Sequence, residues 1–476
     1  MKERFYLTTT IPYVNADPHI GFALEVIQAD AIARYRRLMG DEVFFNAGTD
    51  EHGQKIWEAA QKEGVDTQVY VDRYAGSVKK LKELLNLSYD NFVRTTDESH
   101  KKAAQKLWEL CEKSGDIEKR KYKGLYCVGC EKFLSEHDLE DGKCPLHPGK
   151  DPVVLEEDNY FFKLSNYKDF LKKYLNNPNI IIPEYRRAEA LSIAEVLNDF
   201  SISREKEKLP WGVPVPGDDS QVMYVWFDAL TNYISTLGWP QDEEKFNAFW
   251  QNGSVLQMAG KDQVRFQSVM WPAILHSAGF KAPDQFFYHG FINSGGQRMS
   301  KSLGNVINPG ELVERYGTDA TRYLLLRHVH PTNDTDVTWE RLDEWYTANL
   351  VNGLGNLVAR VMKMAETNLN EPITIPEPKE FDKEYTDALE RYDLGSALDV
   401  VWRRVAELDE RITETEPFKL IKTDREQAKI IIMELVSDLY IVGRMLFPFM
   451  PDTNVMIKES VKANKKPENL FHRLEN

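Results

Sequence analysis

The sequence has 476 residues, too many for one compact core, so several domains are expected. Hydrophobic residues make up 42% and charged residues 28%, an ordinary globular balance that excludes the disordered and fibrous classes. A formal net charge of −15 argues against a uniformly basic nucleic-acid binder and requires any RNA contact to use a local basic strip. No apolar run approaches the roughly 18 residues of a membrane span. The opening Met1-Lys2-Glu3-Arg4 lacks the apolar core of a signal peptide, so a cytoplasmic protein is expected.

The chain begins as strand, loop, helix, strand. Phe5 to Thr10 is β-prone, and Pro12, Asn15, Asp17 and Pro18 break it into a loop. From Gly21 to Met39 apolar residues recur at helical spacing until Gly40 stops them. Glu42 to Ala47 is a second short strand. This order opens a doubly wound parallel α/β sheet of the nucleotide-binding, Rossmann-like kind. Residues 118–222 differ in character, with clustered cysteines, many charges and short β-prone runs such as Asn159 to Leu164, and read as an insertion. Alternating order resumes near Gln221 to Trp226. A buried strand at Val255 to Ala259, a helix from Asp262 to Ala278 and a strand at Phe286 to His289 follow. After Trp339 the chain reads as helical. The stripe Ile432, Leu435, Val436, Leu439, Val442 and Leu446 predicts an all-α bundle. The expected domains are residues 1–117 and 223–290 as two halves of the sheet domain, 118–222 as the insertion, 291–340 as a loop and linker region, and 341–476 as the bundle.

Three of the four cysteines cluster. Cys127-Val128-Gly129-Cys130 and Cys144-Pro145-Leu146-His147 form two knuckles of Cys-x2-Cys and Cys-x2-His spacing, a tetrahedral set typical of structural Zn2+. A fully ligated zinc leaves no open position, so it would stabilise the insertion. Cys111 lies outside this pattern and is expected to be a buried thiol.

Two segments suit phosphate. His19 and Gly21 stand at the start of the first helix, where free N–H groups and the helix dipole favour anions. A capping histidine and a packing glycine are the ordinary alternative. Further on, Ser294-Gly295-Gly296-Gln297 predicts a turn. It is followed by Arg298-Met299-Ser300-Lys301-Ser302, where two cations separated by two residues can clamp a polyphosphate. Together the segments resemble the paired signatures of class I aminoacyl-tRNA synthetases. Phe22 stands where that family usually has a second histidine, and Arg298 where it usually has lysine.

Further segments resemble the methionyl-tRNA synthetase family almost end to end. They include Thr10-Ile11-Pro12-Tyr13, Gly48-Thr49-Asp50-Glu51-His52-Gly53, Val225-Trp226-Phe227-Asp228-Ala229 and Phe287-Tyr288-His289-Gly290. The resemblance implies that His19, Gly21, Arg298, Lys301 and Ser302 handle ATP, with Mg2+ accompanying it. It implies a methionine pocket of Ile11, Tyr13, Asp50, Trp226, Ala229, Leu230, Tyr233 and His289. Asp50 would face the substrate ammonium and the aromatic rings its thioether. Gln267 occupies a position where the family often has histidine. In the bundle, Asn356 and Arg360, four residues apart on one helical face, and Phe418 would contact the anticodon of tRNA(Met). Partners would be tRNA(Met), ATP and methionine, with no membrane, and a monomer is expected. The rivals are a synthetase for leucine, isoleucine or valine, which usually carries a larger insertion, and a tRNA-binding protein without catalysis.

Overall fold

The computed structural model describes residues 2–128, 132–134, 139–145, 149, 151–299, 305–378 and 380–474. The chain divides into two compact units. One comprises Met1–Pro18, Asp41–Lys80 and Tyr89–His289. The other comprises His19–Gly40, Leu81–Ser88 and Gly290–Asn476.

The first unit is built on a six-stranded parallel sheet. Its strands are β1 (Arg4–Thr8), β2 (Glu42–Thr49), β3 (Asn91–Arg94), β4 (Ile181–Ile182), β5 (Ser254–Gly260) and β6 (Gln285–His289), in the order β3-β2-β1-β5-β6-β4. β1, β2 and β5 are buried along nearly their whole length, as parallel strands covered on both faces must be. The chain runs outward from β1 through β2 to β3, then returns to the other side of β1 as β5 and β6. The strand order therefore reverses at β1, and the carboxyl ends of β1 and β5 flank a topological switch point. Tyr6, Trp108, Trp250, Trp271 and Tyr288 lie in the core around this sheet, each fully buried.

Residues 118–222 supply most of two antiparallel sheets. One joins Lys132–Leu134, Ile117–Cys127, Val153–Phe162 and Phe200–Ser201. The other joins Pro214–Val215, Asp218–Met223 and Ser203–Glu205. The stretch Gln221 to Trp226 therefore does not re-enter the parallel sheet directly. Met223 ends an antiparallel strand, and the helix Val225–Leu230 begins two residues later. The same region also sends β4 to the edge of the parallel sheet, where Ile182 pairs with Phe287. The helix expected from Asp262 to Ala278 is broken. A short tight turn at Lys261–Gln263 leads into a widened π-helical turn at Arg265–Met270, and only Trp271–Ser277 is α-helical.

The second unit is helical. Its first helix, Ile20–Met39, ends at Gly40, whose φ of 99° is the left-handed conformation that glycine adopts without a Cβ penalty. Helices Pro309–Tyr316, Thr318–His328, Asn356–Asn368, Leu394–Thr415, Arg425–Leu446 and Pro451–Ala463 form the bulk of this unit. All six residues of the apolar stripe from Ile432 to Leu446 are buried. Pro451 opens the last of these helices, where its missing N–H costs nothing. Among the described residues no helix is long and apolar enough to cross a membrane.

Candidate active site

At the carboxyl end of β1 the chain turns through Ile11 and Pro12 to Tyr13, which forms a parallel bridge with Asp50 at the end of β2. Asp50 N–H donates to Pro12 O at 3.0 Å, and Val14 N–H to Asp50 O at 3.2 Å. Close approach is possible because Gly48 has no side chain. A Cβ there would stand 2.2 Å from Val93 O and 3.0 Å from Ile11. Asp50 is 4% exposed.

Both residues after Asp50 are pinned. The Glu51 carboxylate is buried and accepts two hydrogen bonds from Arg94, at 2.7 and 2.9 Å, and one from Thr49 at 2.7 Å. His52 Nδ1 donates to Asp228 Oδ2 at 2.6 Å, and His100 Nε2 donates to Asp228 Oδ1 at 2.8 Å. His100 Nδ1 lies 2.8 Å from Ser235 Oγ. Burial alone would raise the Asp228 pKa. The charge of His52 and the hydrogen bonds from both histidines outweigh it, and the carboxyl is held down at about 2. Sequence reasoning singled out Asp50 and missed this network, although the run Asp50-Glu51-His52 directly after a buried strand was a signal for it.

Asp228 ties that loop to the helix Val225–Leu230, which carries Trp226, Ala229 and Leu230 at positions i, i+3 and i+4. Tyr233 follows one turn later, with its hydroxyl accepting from Gln267 Nε2 at 2.5 Å. Phe266, on the widened turn with Gln267, stacks on Trp226 with 3.6 Å between centroids and 8° between planes. His289 ends β6 opposite Gly260, where an added Cβ would come 3.7 Å from its Nε2. Several buried polar atoms near the switch point have no hydrogen-bond partner among the described residues. They are Thr8 Oγ1 on β1, Gln257 Oε1 and Nε2 beside it on β5, Gln267 Oε1 and Trp226 Nε1. Buried groups left in this state cost free energy unless water or a ligand satisfies them. This end of the sheet is therefore suited to a partly polar, partly apolar guest.

In the second unit, His19 caps the helix Ile20–Met39. Its Nδ1 accepts from Gly21 N–H at 3.1 Å and Phe22 N–H at 3.4 Å, which leaves the proton on Nε2 as a donor. A Cβ on Gly21 would come within 3.0 Å of the His19 ring, so glycine makes room for the cap. Phe22 is 9% exposed and contributes packing. Gly295 and Gly296, at φ 63° and 74°, form the tight hairpin turn that pairs Asn293 with Arg298. Lys301 and Ser302 lie outside the described residues.

Cys127 and Cys144 are each 2% exposed and share a small buried cluster with Leu134. Cys130 and His147 lie outside the described residues. Cys111 is fully buried, 3.7 Å from Ile274 O, and burial pushes its thiol up to about 12. In the helix Asn356–Asn368, Asn356 is exposed and Arg360 forms an ion pair with Asp409. Arg360 and Phe418 border one groove of about 480 Å3 with Lys363 and Lys466. Asn356 lies one turn away and does not line it.

A parallel sheet whose strand order reverses at β1, with unpartnered buried polar atoms on β1 and β5, is the arrangement of the nucleotide-binding α/β class. The family model described as tRNA synthetases class I (M) matches residues 5–148 and 137–362. Two relatives carry the name methionine–tRNA ligase. The Fusobacterium nucleatum protein is 39% identical over 99% of this chain and 76% of its own length, and the Thermotoga maritima protein is 41% identical over 98% and 76%. The methionyl-tRNA synthetase of Mycobacterium tuberculosis, solved with methionyl-adenylate, superposes with a TM-score of 0.88 at 35% identity, covering 100% of this chain and 98% of the other. Its free form superposes with a TM-score of 0.84 at 32% identity, covering 100% and 99%. The chain belongs to the methionyl branch of the class I tRNA synthetases.

Proposed function

We infer that this protein is a cytoplasmic enzyme that joins methionine to tRNA(Met) in two steps, the first of which consumes ATP. In the first, the methionine carboxylate attacks the α-phosphorus of ATP. The bond to the β-phosphate breaks, and pyrophosphate leaves. In the second, the 3′-terminal ribose hydroxyl of tRNA attacks the methionyl carbonyl and AMP leaves. Both displacements depend on positioning and charge neutralisation more than on covalent help from the protein.

The observation that carries this reading is Asp50, a buried carboxylate at the end of β2, bridged to Tyr13 beyond β1 and followed by two pinned residues, Glu51 and His52. It would take the substrate ammonium, and the Ile11 backbone would accept a further hydrogen bond. Tyr13, Trp226, Tyr233 and His289 would line the thioether pocket, with Ala229 and Leu230 filling gaps. The His19 Nε2–H is a donor suited to a phosphate oxygen. Gly21, Arg298, Lys301 and Ser302 would complete the handling of ATP, which arrives as its Mg2+ complex. In the bundle, Arg360 and Phe418 offer a cation and an aromatic face to an anticodon base, with Asn356 beside them.

Methionine-dependent exchange of pyrophosphate into ATP tests the reading. Activity with methionine alone is expected. Activity with leucine or valine, or none, would overturn it. In the same assay series Arg360→Ala should raise KM for tRNA and leave exchange untouched.

A structural Zn2+ suits the insertion. The pairing of two buried thiols, Cys127 and Cys144, supplies half of a soft tetrahedral donor set, and Cys130 and His147 have the spacing to complete it. Its role is to hold the knuckle together. Near-stoichiometric zinc is expected in purified protein, and its absence on elemental analysis rejects the assignment.

A further inference from the structure

We propose that Trp211, on the loop between the strands Ser203–Glu205 and Pro214–Val215, is a positioning residue for the amino-acid site. It holds the backbone of the Asp50 loop and so aims the Asp50 carboxylate at the substrate ammonium. The inference rests on the reading that Asp50 takes that ammonium.

The geometry at Glu51 is the first argument. The Trp211 Nε1–H donates to Glu51 O at 2.6 Å, across 160 positions of sequence. Glu51 N–H donates to Thr95 Oγ1 at 2.9 Å, and the Glu51 carboxylate is held by Arg94 and Thr49. With its carboxylate and both backbone groups held, Glu51 cannot turn, and the peptide it shares with Asp50 is fixed in direction. Glu51 is fully buried, and a buried carbonyl that loses its donor costs free energy.

The second argument is what the indole ring touches. Together with Tyr13 it packs against the cluster of Val14, Ile56, Ala60 and Tyr70, and it stands 5.5 Å from the His52 ring. Tyr13 is the residue bridged to Asp50. One side chain therefore bears on both sides of that bridge, through the Val14 cluster on one and through Glu51 and His52 on the other.

The third argument is how Trp211 is itself held. Val213 O accepts from Met223 N–H at 2.7 Å, two residues before the helix Val225–Leu230 begins. Gly212 lets the loop lie close, since a Cβ there would stand 3.1 Å from Val222 Cβ. The indole is thus fixed relative to the helix of Trp226 and Asp228. The ammonium end and the thioether end of the pocket share one frame.

The test compares wild-type enzyme with Trp211→Phe, which keeps a ring on the cluster and removes the N–H. In methionine-dependent exchange the KM for methionine should rise about 5- to 10-fold, the scale of one buried hydrogen bond. The maximal rate and the KM for ATP should stay within about 2-fold. Two competitive inhibitors separate aim from general loosening. L-Methioninol keeps the ammonium and should bind the variant about 5- to 10-fold more weakly. The desamino analogue of methionine lacks it and should bind both proteins equally. Gly212→Ala, which keeps every donor and shifts the loop, should raise the KM for methionine by about 2- to 3-fold. An unchanged KM for methionine in Trp211→Phe overturns the proposal, as does equal weakening of both inhibitors. Should Trp211→Phe fail to fold, the inhibitor comparison on Gly212→Ala decides: selective loss of methioninol supports the proposal and equal loss overturns it. An Asp50→Asn enzyme that binds methioninol as tightly as wild type instead refutes the reading of Asp50 beneath it.

Discussion

Each unit contains a fully buried carboxylate whose pKa is depressed, and the two are held by different cations. Asp228, in the sheet unit, lies between His52 and His100. Asp30, in the helical unit, lies between Arg322 and Arg34, each at 2.7 Å, and accepts from Ser88 N–H and Oγ at 2.6 Å each. Burial would raise Asp30, but the two guanidiniums and the Ser88 hydroxyl hold it below its ordinary value. Arg322 is itself 0% exposed and donates to Phe449 O, Leu85 O and Pro448 O at 2.8, 3.0 and 3.1 Å. Arginine never gives up its proton in this setting, so the Asp30 network is a permanent fastening of helix to helix. The Asp228 network instead joins the loop of Asp50 to the helix of Trp226 through two imidazole hydrogen bonds, at 2.6 and 2.8 Å. The helical unit is fastened by two guanidiniums around its carboxylate, whereas the loop of Asp50 is fastened by two imidazoles around Asp228.

Breaking the permanent fastening should have the largest effect. Arg322→Met takes one of its two guanidiniums from Asp30 and leaves the buried carbonyls of Phe449, Leu85 and Pro448 without this donor, and is expected to cost about 3–5 kcal/mol in urea unfolding, with Arg322→Lys failing to restore the lost contacts. An unchanged midpoint for Arg322→Met would mean that the network is ornamental.

The pocket's fastening should be weaker and pH-dependent. The Asp228 carboxyl titrates near 2 in the folded protein and near 3.9 when unfolded. Its contribution of about 2–3 kcal/mol is therefore present above pH ~4 and lost as pH falls through ~2. Asp228→Asn should destabilise by about that amount at pH 7, converge with wild type in acid, and raise KM for methionine. A stability difference that persists at pH 2, or an unchanged KM, would break the link drawn between this carboxylate and the pocket.

The smallest effect sharpens the comparison with a third carboxylate. Asp319 is buried and accepts from the Thr453 N–H at 2.6 Å, and the nearby charge of Arg322 does not outweigh its burial. Burial raises it to about 6. A raised carboxyl is a stabilising proton site below pH ~4, and that stability is lost as pH rises through ~6. Asp319→Asn should therefore gain roughly 1–2 kcal/mol at pH 7 and nothing at pH 4, as read by thermal melts. A gain independent of pH would assign the effect to packing instead.

Much was legible before any coordinates. Apolar periodicity located β1, the first helix and the stripe from Ile432 to Leu446, because burial imposes its own repeat on the sequence. The resemblance in Gly48–Gly53 and Val225–Ala229 pointed to Asp50 and Trp226. The broken helix after Lys261 was not legible, since a widened turn uses the same residue types as an α-helix. The antiparallel pairing of Asp218–Met223 was equally hidden, because strand direction is decided by distant partners.

By itself the sequence determined the order of elements, the family and the identity of the polar residues placed near buried strands. Those follow from local propensity, periodicity and motif spacing. Only the tertiary structure decided that residues 176 positions apart, His52 and Asp228, share a hydrogen bond. Likewise it alone decided that Trp211 reaches the Glu51 carbonyl and that Phe266 covers Trp226. Such constellations form when separate segments close on a common core, and no local pattern encodes which side chains will then face one another.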